Sequence, residues 1–518
     1  MKVLDKQDFF GLFKQSGFYW VFVITTSILC YGFTLTNPTL GFDDLNLEVY
    51  FSGEFILATG RWGYIPLRYI LNTYYLLPFW RIFIAINIII IGLTLFCGLY
   101  RKYSNERFDD KTATIFTCVA ISFPWIADLF IFIGATIEIG LIIFLAGISL
   151  FFATKWIVEE KHYLYSVPSA LFLGYAVAFY EIAAIIFLVG GFTLLLVYYL
   201  FNKDIGDTYK FWLKSARIIL VMFMGLIVWQ SGAVILRNFY GVDRIVHGGS
   251  FINHDTTSVT TFLISLGRFT ITFFLHFLQP FDASKVDIII WCATIVLILA
   301  STLLSIVVKR FAILIAGIVA VIASYGMHFA LGEVTPLNRM TLSFFMLIAF
   351  TLALLYMVLS NISYRKLRIK YIMIFFVVWT VLFQSRAINE IFYLDFQRYQ
   401  RDVMIMNTII HDLGLEHDKP IVFVGFIENP LPEREAAGIS IFDFARRNMP
   451  IWELFDVQHY EFFVAHNFPL VRPQASDIDL EELQIKISDM PSWPEEGYIL
   501  EHDNFIIVKL GYSPLDLN

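Results

Sequence analysis

Apolar runs of about twenty residues recur along the chain, separated by short polar segments. They cover roughly 18–35, 80–100, 112–128, 135–154, 164–181, 183–201, 215–236, 286–308, 311–329, 340–360 and 369–387. A helix of about twenty apolar residues crosses the hydrocarbon core of a bilayer, so the pattern predicts about eleven transmembrane helices. The first run follows Lys2, Lys6 and Lys14, and no A-x-A-like cleavage site comes after it, so it is expected to stay as the first helix. Residues 259–279 are apolar as well, but they hold Arg268 and His276. A crossing there would move the Lys/Arg-rich loops that follow to the outer side, so a re-entrant or interfacial helix is expected instead.

Beyond about residue 388 the pattern changes. Residues 421–426 are a short apolar run after Lys419-Pro420, and 497–500 and 505–510 flank Glu501-His502-Asp503-Asn504 as a hairpin would. Pro430, Pro432, Pro450, Pro469 and Pro473 leave no room for long helices between them. The expected fold is an all-α polytopic membrane protein carrying a small α/β C-terminal domain. The domains are 1–388, whose first outer loop is 37–79, and an extracytoplasmic 389–518.

Composition agrees. Of 518 residues 58% are hydrophobic and only 16% charged, and the mean hydropathy is +0.69. Soluble domains carry about a quarter charged residues, so a soluble enzyme, a disordered chain and a nucleic-acid binder are excluded. Charge is unevenly placed: from Glu390 onward 9 basic and 23 acidic residues leave the tail at −14, against +7 for everything before it. Before the tail, nineteen Lys and Arg fall in loops assigned to the inside and nine to the outside. That bias puts the first helix's start in the cytoplasm and, with an odd number of crossings, the tail outside. Cys30, Cys97, Cys118 and Cys292 each sit in an apolar run without metal-site or redox spacing, and all four read as small core residues.

On this topology Asp128, Glu138, Glu181, Gln230, His328 and Gln384 fall near the outer ends of their helices, while the inner ends hold only orienting Lys and Arg. Charges inside membrane helices are costly, so this one-sidedness describes a cavity open to the outer face. Any single one of these residues could equally be a cap or a helix–helix hydrogen bond. The sharpest local feature follows the first helix: Asp43-Asp44, then Glu48 and Glu54, then Gly60-Arg61-Trp62-Gly63. Residues 64–77, apolar with Tyr and Arg, should lie along the interface. Adjacent carboxylates suit general-base work on a hydroxyl or the oxygen ligation of a divalent cation, and equally an N-cap with a dipole partner. Outer loops before the tail use Arg six times and Lys once. Arg presents a planar fork to phosphate, which makes Arg339, Arg244 and Arg61 candidates for a lipid phosphate. For Arg61 an anchoring role at the headgroup level is as good a reading. His254-Asp255 could be an acid–base or metal pair, and a loop hydrogen bond is the simpler reading. No Walker, Rossmann, G-x-S-x-G or H-E-x-x-H pattern stands in usable context.

A helix, an outer-loop Asp-Asp, a Gly-Arg-Trp, about ten further helices and a polar tail together resemble the GtrII-type glucosyltransferases, GT-C-class membrane enzymes. The Pro336…Arg339 loop and the ending Met490-Pro491-Ser492-Trp493-Pro494…Ile506-Ile507-Val508-Lys509-Leu510 look similar to that family as well. The resemblance implies a transferase of the bacterial inner membrane. Its site would be on the outer face, taking a hexose such as glucose from undecaprenyl phosphate to a hydroxyl of a surface glycan such as O-antigen, with inversion. It implies Asp43 or Asp44 as base, Arg339 at the leaving phosphate and no sugar nucleotide; no cofactor is expected, and since Asp43-Asp44 has no clear third ligand a metal-independent reaction is favoured. It also implies a flippase and a polyprenyl-phosphate sugar synthase as working partners. Glu54, Trp62, Glu138, Glu181 and His254 are the candidate substrate contacts. Two other readings stay open: a flippase for lipid-linked sugars, and a different outer-face enzyme such as a glycan ligase, polymerase or acyltransferase working through His247 and His254.

Overall fold

A computed structural model describes residues 6–40, 53–71, 77–131, 136–202, 208–243, 285–327, 342–360, 363–364, 367–414, 418–427, 440–442, 457–468, 470–473 and 480–511. Two compact units emerge. One comprises Met1–Thr36, Gly53–Phe130 and Ala135–Glu390; the other comprises Asn37–Ser52, Ile131–Gly134 and Ile391–Asn518.

The first unit is helical. Among the described residues six helices are long and apolar enough to cross a membrane: Gly17–Thr36, Pro78–Tyr103, Thr136–Ile157, Ile182–Phe201, Tyr209–Tyr240 and Ile369–Leu413. Asp110–Ile121 and Pro124–Phe130 form a seventh if the pair, bent by 49°, is one span. Four shorter apolar helices occupy other expected positions: Tyr163–Val177, Cys292–Val308, Phe311–Ser324 and Phe344–Leu359. The bend falls where the sequence places Ser122-Phe123-Pro124, because Pro124 cannot donate to the preceding turn. Helix Asp110–Ile121 begins where Asp109 accepts from the Thr112 amide at 2.9 Å, an N-cap. Helix Pro78–Tyr103 begins with proline in its first turn, behind an extended Leu77.

Thr136–Ile157 is 83% buried over its most apolar stretch and Tyr209–Tyr240 only 22%, so the former lies at the centre and the latter at the rim. Phe223, Ile227 and Ile235 on the rim helix are exposed, as lipid-facing residues are. At the centre helices approach closely: a Cβ on Gly140 would stand 2.9 Å from the Ala85 carbonyl oxygen. Hydroxyls bridge helices there, Tyr19 to Thr94 at 2.7 Å and to Thr117 at 3.0 Å, and Tyr100 to Thr193 at 2.8 Å.

Two sequence expectations need correction. Cys292 is exposed, unlike the buried Cys30, Cys97 and Cys118; its apolar run belongs to a peripheral helix whose outward face needs no protein partner. The last span does not stop near 387 but belongs to the 45-residue helix Ile369–Leu413. Its charged second half looked like tail because burial of paired charges leaves no apolar run to read. The segment 259–279 lies outside the described residues.

In the second unit the expected strand and hairpin are present as Ile421–Val424, Ile499–Glu501 and Ile506–Lys509. Ile506–Lys509 is central, parallel to Ile421–Val424 and antiparallel to Ile499–Glu501. Both faces of this sheet are covered, so 421–424 and 506–508 are apolar in a row rather than alternating. Ile421, Phe423, Ile506 and Val508 pack with Ile405, Ile409 and Phe463; Val422, Val424 and Ile507 pack with Leu483 and Ile487. The buried Lys509 ammonium donates to the Ile487 and Met490 carbonyls at 2.8 and 2.9 Å, closing the end of helix Leu480–Asp489.

Candidate active site

The helix ends of the first unit sort into two chemically different sets. Thr136–Ile157 and Ser166–Val177 follow one another, so the start of the former and the end of the latter share one end of the bundle. That end holds Glu138 and Glu181; the other holds Lys155, Glu159, Lys161 and Lys214.

At the basic end these four groups are held by ion pairs and hydrogen bonds. Glu159 takes ion pairs from Lys102 at 2.8 Å, Lys161 at 2.8 Å and Lys155 at 3.5 Å, and the Tyr103 hydroxyl donates to it at 2.8 Å. Lys214 donates to the Ile157 carbonyl at 2.7 Å and Arg310 to that of Tyr199 at 2.6 Å. Cations at helix C-termini offset the negative end of the helix dipole. Burial pushes the Glu159 carboxyl up, but hydrogen bonds from Lys102, Lys161 and Tyr103 outweigh it and hold the group down from 4.5 to about 2. Because the folded value is depressed, the stabilisation is present above pH 4.5 and is lost as pH falls from there to about 2. Glu159→Gln is therefore expected to cost about 1–2 kcal/mol at pH 7 after solvent screening. In melting curves across a pH series the gap between variant and wild type closes through that acid window.

At the opposite end Gly60-Arg61-Trp62-Gly63 is clamped by two other helices. Helix Gly53–Ala58 closes when the Gly60 and Arg61 amides donate to Leu57 and Ile56 at 3.0 and 2.9 Å. Gly60 takes φ +79°, a left-handed value that glycine reaches without strain. Two indoles then tie the loop to helix Tyr209–Tyr240: Trp229 donates to the Gly60 carbonyl at 2.9 Å, and Trp62 donates to that of Trp229 at 3.0 Å. The Gly63 amide donates to the Ala178 carbonyl at 3.1 Å, and the Tyr175 hydroxyl donates to the Gly63 carbonyl at 3.3 Å. A Cβ on Gly63 would stand 3.0–3.2 Å from Ala178, and one on Gly232 would stand 2.7 Å from the Trp62 ring. Both glycines therefore make room for the loop.

The clamp aims Arg61. Its guanidinium lies 4.8 Å from the centre of the Tyr180 ring, a cation–π contact, and Nη2 is 4.0 Å from a Glu181 oxygen. The Arg61 side chain stays 36% exposed. Trp62 packs on Tyr175 with ring centres 5.7 Å apart, and the Glu138 carboxylate lies within electrostatic reach of Tyr175. Glu138 and Asp128 are both buried. Four sequence candidates, Arg61, Trp62, Glu138 and Glu181, are thus brought into one neighbourhood, joined by Tyr175 and Tyr180. Those two tyrosines and Trp229 were not singled out from sequence, since tyrosines are frequent here and Trp229 is 167 residues from Trp62.

Gln384 lies apart from that neighbourhood, where it accepts from the Ser122 hydroxyl at 2.8 Å beside the helix break. The backbone of Glu54 sits on helix Gly53–Ala58; its side chain, and Asp43, Asp44, Arg244, His254, His328 and Arg339, lie outside the described residues. Among the described residues no three His, Cys, Asp or Glu side chains gather as a metal site.

A model of the family described as Glucosyl transferase GtrII matches residues 32–237. The match is less than half of the chain, and it includes Asp43, Asp44, Glu54, Arg61, Trp62, Glu138 and Glu181 while Arg244, His254 and Arg339 lie beyond it. No curated protein and no solved structure matches the chain.

Proposed function

We propose that this glycosyltransferase, whose residues 32–237 are those of the GtrII-type family, moves a hexose such as glucose from undecaprenyl phosphate to a hydroxyl of a surface glycan. The observation that carries the reading is the gathering of Arg61, Glu181, Glu138 and an aromatic wall at the end of the bundle opposite its Lys/Arg-rich end. Tyrosine and tryptophan faces suit the C–H surface of a sugar ring, and carboxylates accept from its hydroxyls. On this reading that end faces outward, as the bias of Lys and Arg toward the opposite end supports, and the membrane is a bacterial inner membrane.

In this mechanism Asp43 or Asp44 takes the proton of the acceptor hydroxyl while its oxygen forms the new bond to the anomeric carbon. The bond from that carbon to the carrier's phosphate oxygen breaks, and its electron pair leaves with the phosphate. One displacement inverts the anomeric configuration. The role assigned to Arg339, with Arg244 or Arg61, is to meet the charge that grows on that phosphate, and stabilisation of developing charge is the larger part of such catalysis. Arg61, held on Tyr180 and near Glu181, is oriented before the donor arrives. A flippase and a synthase of the lipid-linked sugar complete the route on this reading.

The test offers the purified protein a polyprenyl-phosphate hexose or a nucleotide sugar, each with a glycan acceptor, with and without EDTA. Glycan gain from the lipid-linked donor alone, matched by released polyprenyl phosphate and unchanged by EDTA, is the expected result. Gain from the nucleotide sugar would overturn the donor assignment, and donor translocation without bond cleavage would favour a flippase.

A further inference from the structure

Helix Tyr209–Tyr240 reaches the Lys/Arg-rich end of the first unit with Lys210, Lys214 and Arg217. Their spacing of four and three residues puts them on one strip of the helix, about 10 Å long at 1.5 Å per residue. The strip runs along one edge of the outward face: Tyr209, Trp212, Leu213, Leu220 and Phe223 are exposed, while Phe211 and Ile218 are buried behind. Only Lys214 is fully used by the fold. It is buried and donates to the Ile157 carbonyl at 2.7 Å and to Glu160 at 3.1 Å. The hydrogen bond from Lys214 holds the Glu160 carboxyl below its usual value, and the charges of Lys210 and Arg217 add to that pull. Three cations therefore share this carboxylate, and the neighbouring Glu159 already takes Lys102, Lys155 and Lys161.

Arg217 lies 5.1 Å from the centre of the Trp156 ring and donates through Nη1 to the Trp156 carbonyl at 3.2 Å. The guanidinium is thus fixed, while its Nε and Nη2 have no hydrogen-bond partner among the described residues. Lys210 is exposed in the first turn of its helix, where a cation meets the positive end of the dipole, so the helix gains nothing from it. A cation that only orients a span needs no such fixed geometry.

Positive charge in excess of its carboxylates, beside an exposed apolar face, complements an amphiphile with an anionic head. A soluble anion would leave the apolar face without a role, and a zwitterionic lipid would bring a further cation to the strip. We propose that Lys210 and Arg217, with the Trp156 ring supporting the guanidinium, bind the phosphodiester of an anionic phospholipid such as phosphatidylglycerol, whose chains lie along Trp212, Leu220 and Phe223. Arg217 meets two phosphate oxygens through Nε and Nη2, a paired geometry that an ammonium lacks, and Lys210 supplies a second charge. The site is at the end of the bundle opposite Arg61 and Glu181, and it stands whether or not sugar transfer is the reaction.

The test is native mass spectrometry of the purified protein titrated with phosphatidylglycerol, phosphatidylcholine or undecaprenyl phosphate. Wild type is expected to retain phosphatidylglycerol in preference to phosphatidylcholine, and Lys210→Gln and Arg217→Gln each to weaken that retention about tenfold, the worth of one charge-assisted hydrogen bond. Arg217→Lys, which keeps the charge without the fork, is expected to lose most of the same affinity. Lys309→Gln removes another exposed cation of this end and is expected to change retention by less than about twofold. Equal retention of the two phospholipids, no loss in the Lys210 and Arg217 variants, or an equal loss in Lys309→Gln would overturn the proposal. Tighter retention of undecaprenyl phosphate, lost in the same variants, would make the strip a carrier site and overturn the phospholipid assignment. Should Arg217→Gln fail to fold, Lys210→Gln decides alone, because its exposed side chain supports nothing in the bundle.

Discussion

Asp43→Asn or Asp44→Asn is expected to lower hexose transfer by about 10²–10⁴-fold, the range that a positioned general base contributes. The variant that removes the base should lose kcat and keep the donor KM, because the lost interaction acts only as the acceptor hydroxyl gives up its proton. The other member of the pair should lose less, and mainly in acceptor KM. A single-turnover assay with preloaded donor separates the two cases. Equal, near-wild-type turnover in both variants would remove the pair from the mechanism.

The second large effect belongs to the clamp. Gly232→Ala puts a methyl group 2.7 Å from the Trp62 ring, closer than any real contact, so the indole must shift and strain its bond to the Trp229 carbonyl. Overpacking of this kind costs about 1–3 kcal/mol, and the displaced Arg61-Trp62 segment should lower transfer tenfold or more. Trp62→Phe shortens the ring and loses the indole donor. In the double variant the smaller ring makes room for the methyl, so the combined loss in melting temperature should be less than the sum of the separate losses. Additive losses would mean that the glycine does not serve the tryptophan.

Much of this architecture is legible in a single sequence because the bilayer enforces it: a run long enough to cross has few alternatives to a helix. The strand 421–424 and the hairpin near the C-terminus could be read for a related reason, since short apolar runs bounded by turn residues have little else to become. What stayed hidden depends on distant pairing. Nothing local tells that Trp62 donates to the Trp229 carbonyl and Trp229 to that of Gly60, or that Thr39 meets Asp395. The charges Asp395, Arg398 and Asp402 look solvated until their partners are known, so the sequence alone ends the long helix near 387 rather than at Leu413. At the site, the clustering of acidic residues at one set of helix ends was enough to bring Glu138 and Glu181 forward. Tyr175 and Tyr180 had no such signal among 26 tyrosines.

The most direct measurement of the central claim is transfer in proteoliposomes of known orientation. Polyprenyl-phosphate hexose is supplied in the bilayer, and the acceptor glycan is given either to the face bearing the Arg61–Glu181 end or to the face bearing the Lys102–Glu159–Lys161 end. The account predicts a glycan carrying the hexose, with inverted anomeric configuration, only when the acceptor meets the Arg61–Glu181 face. Transfer only at the lysine-rich face, or hexose retained on its carrier at both, would contradict it.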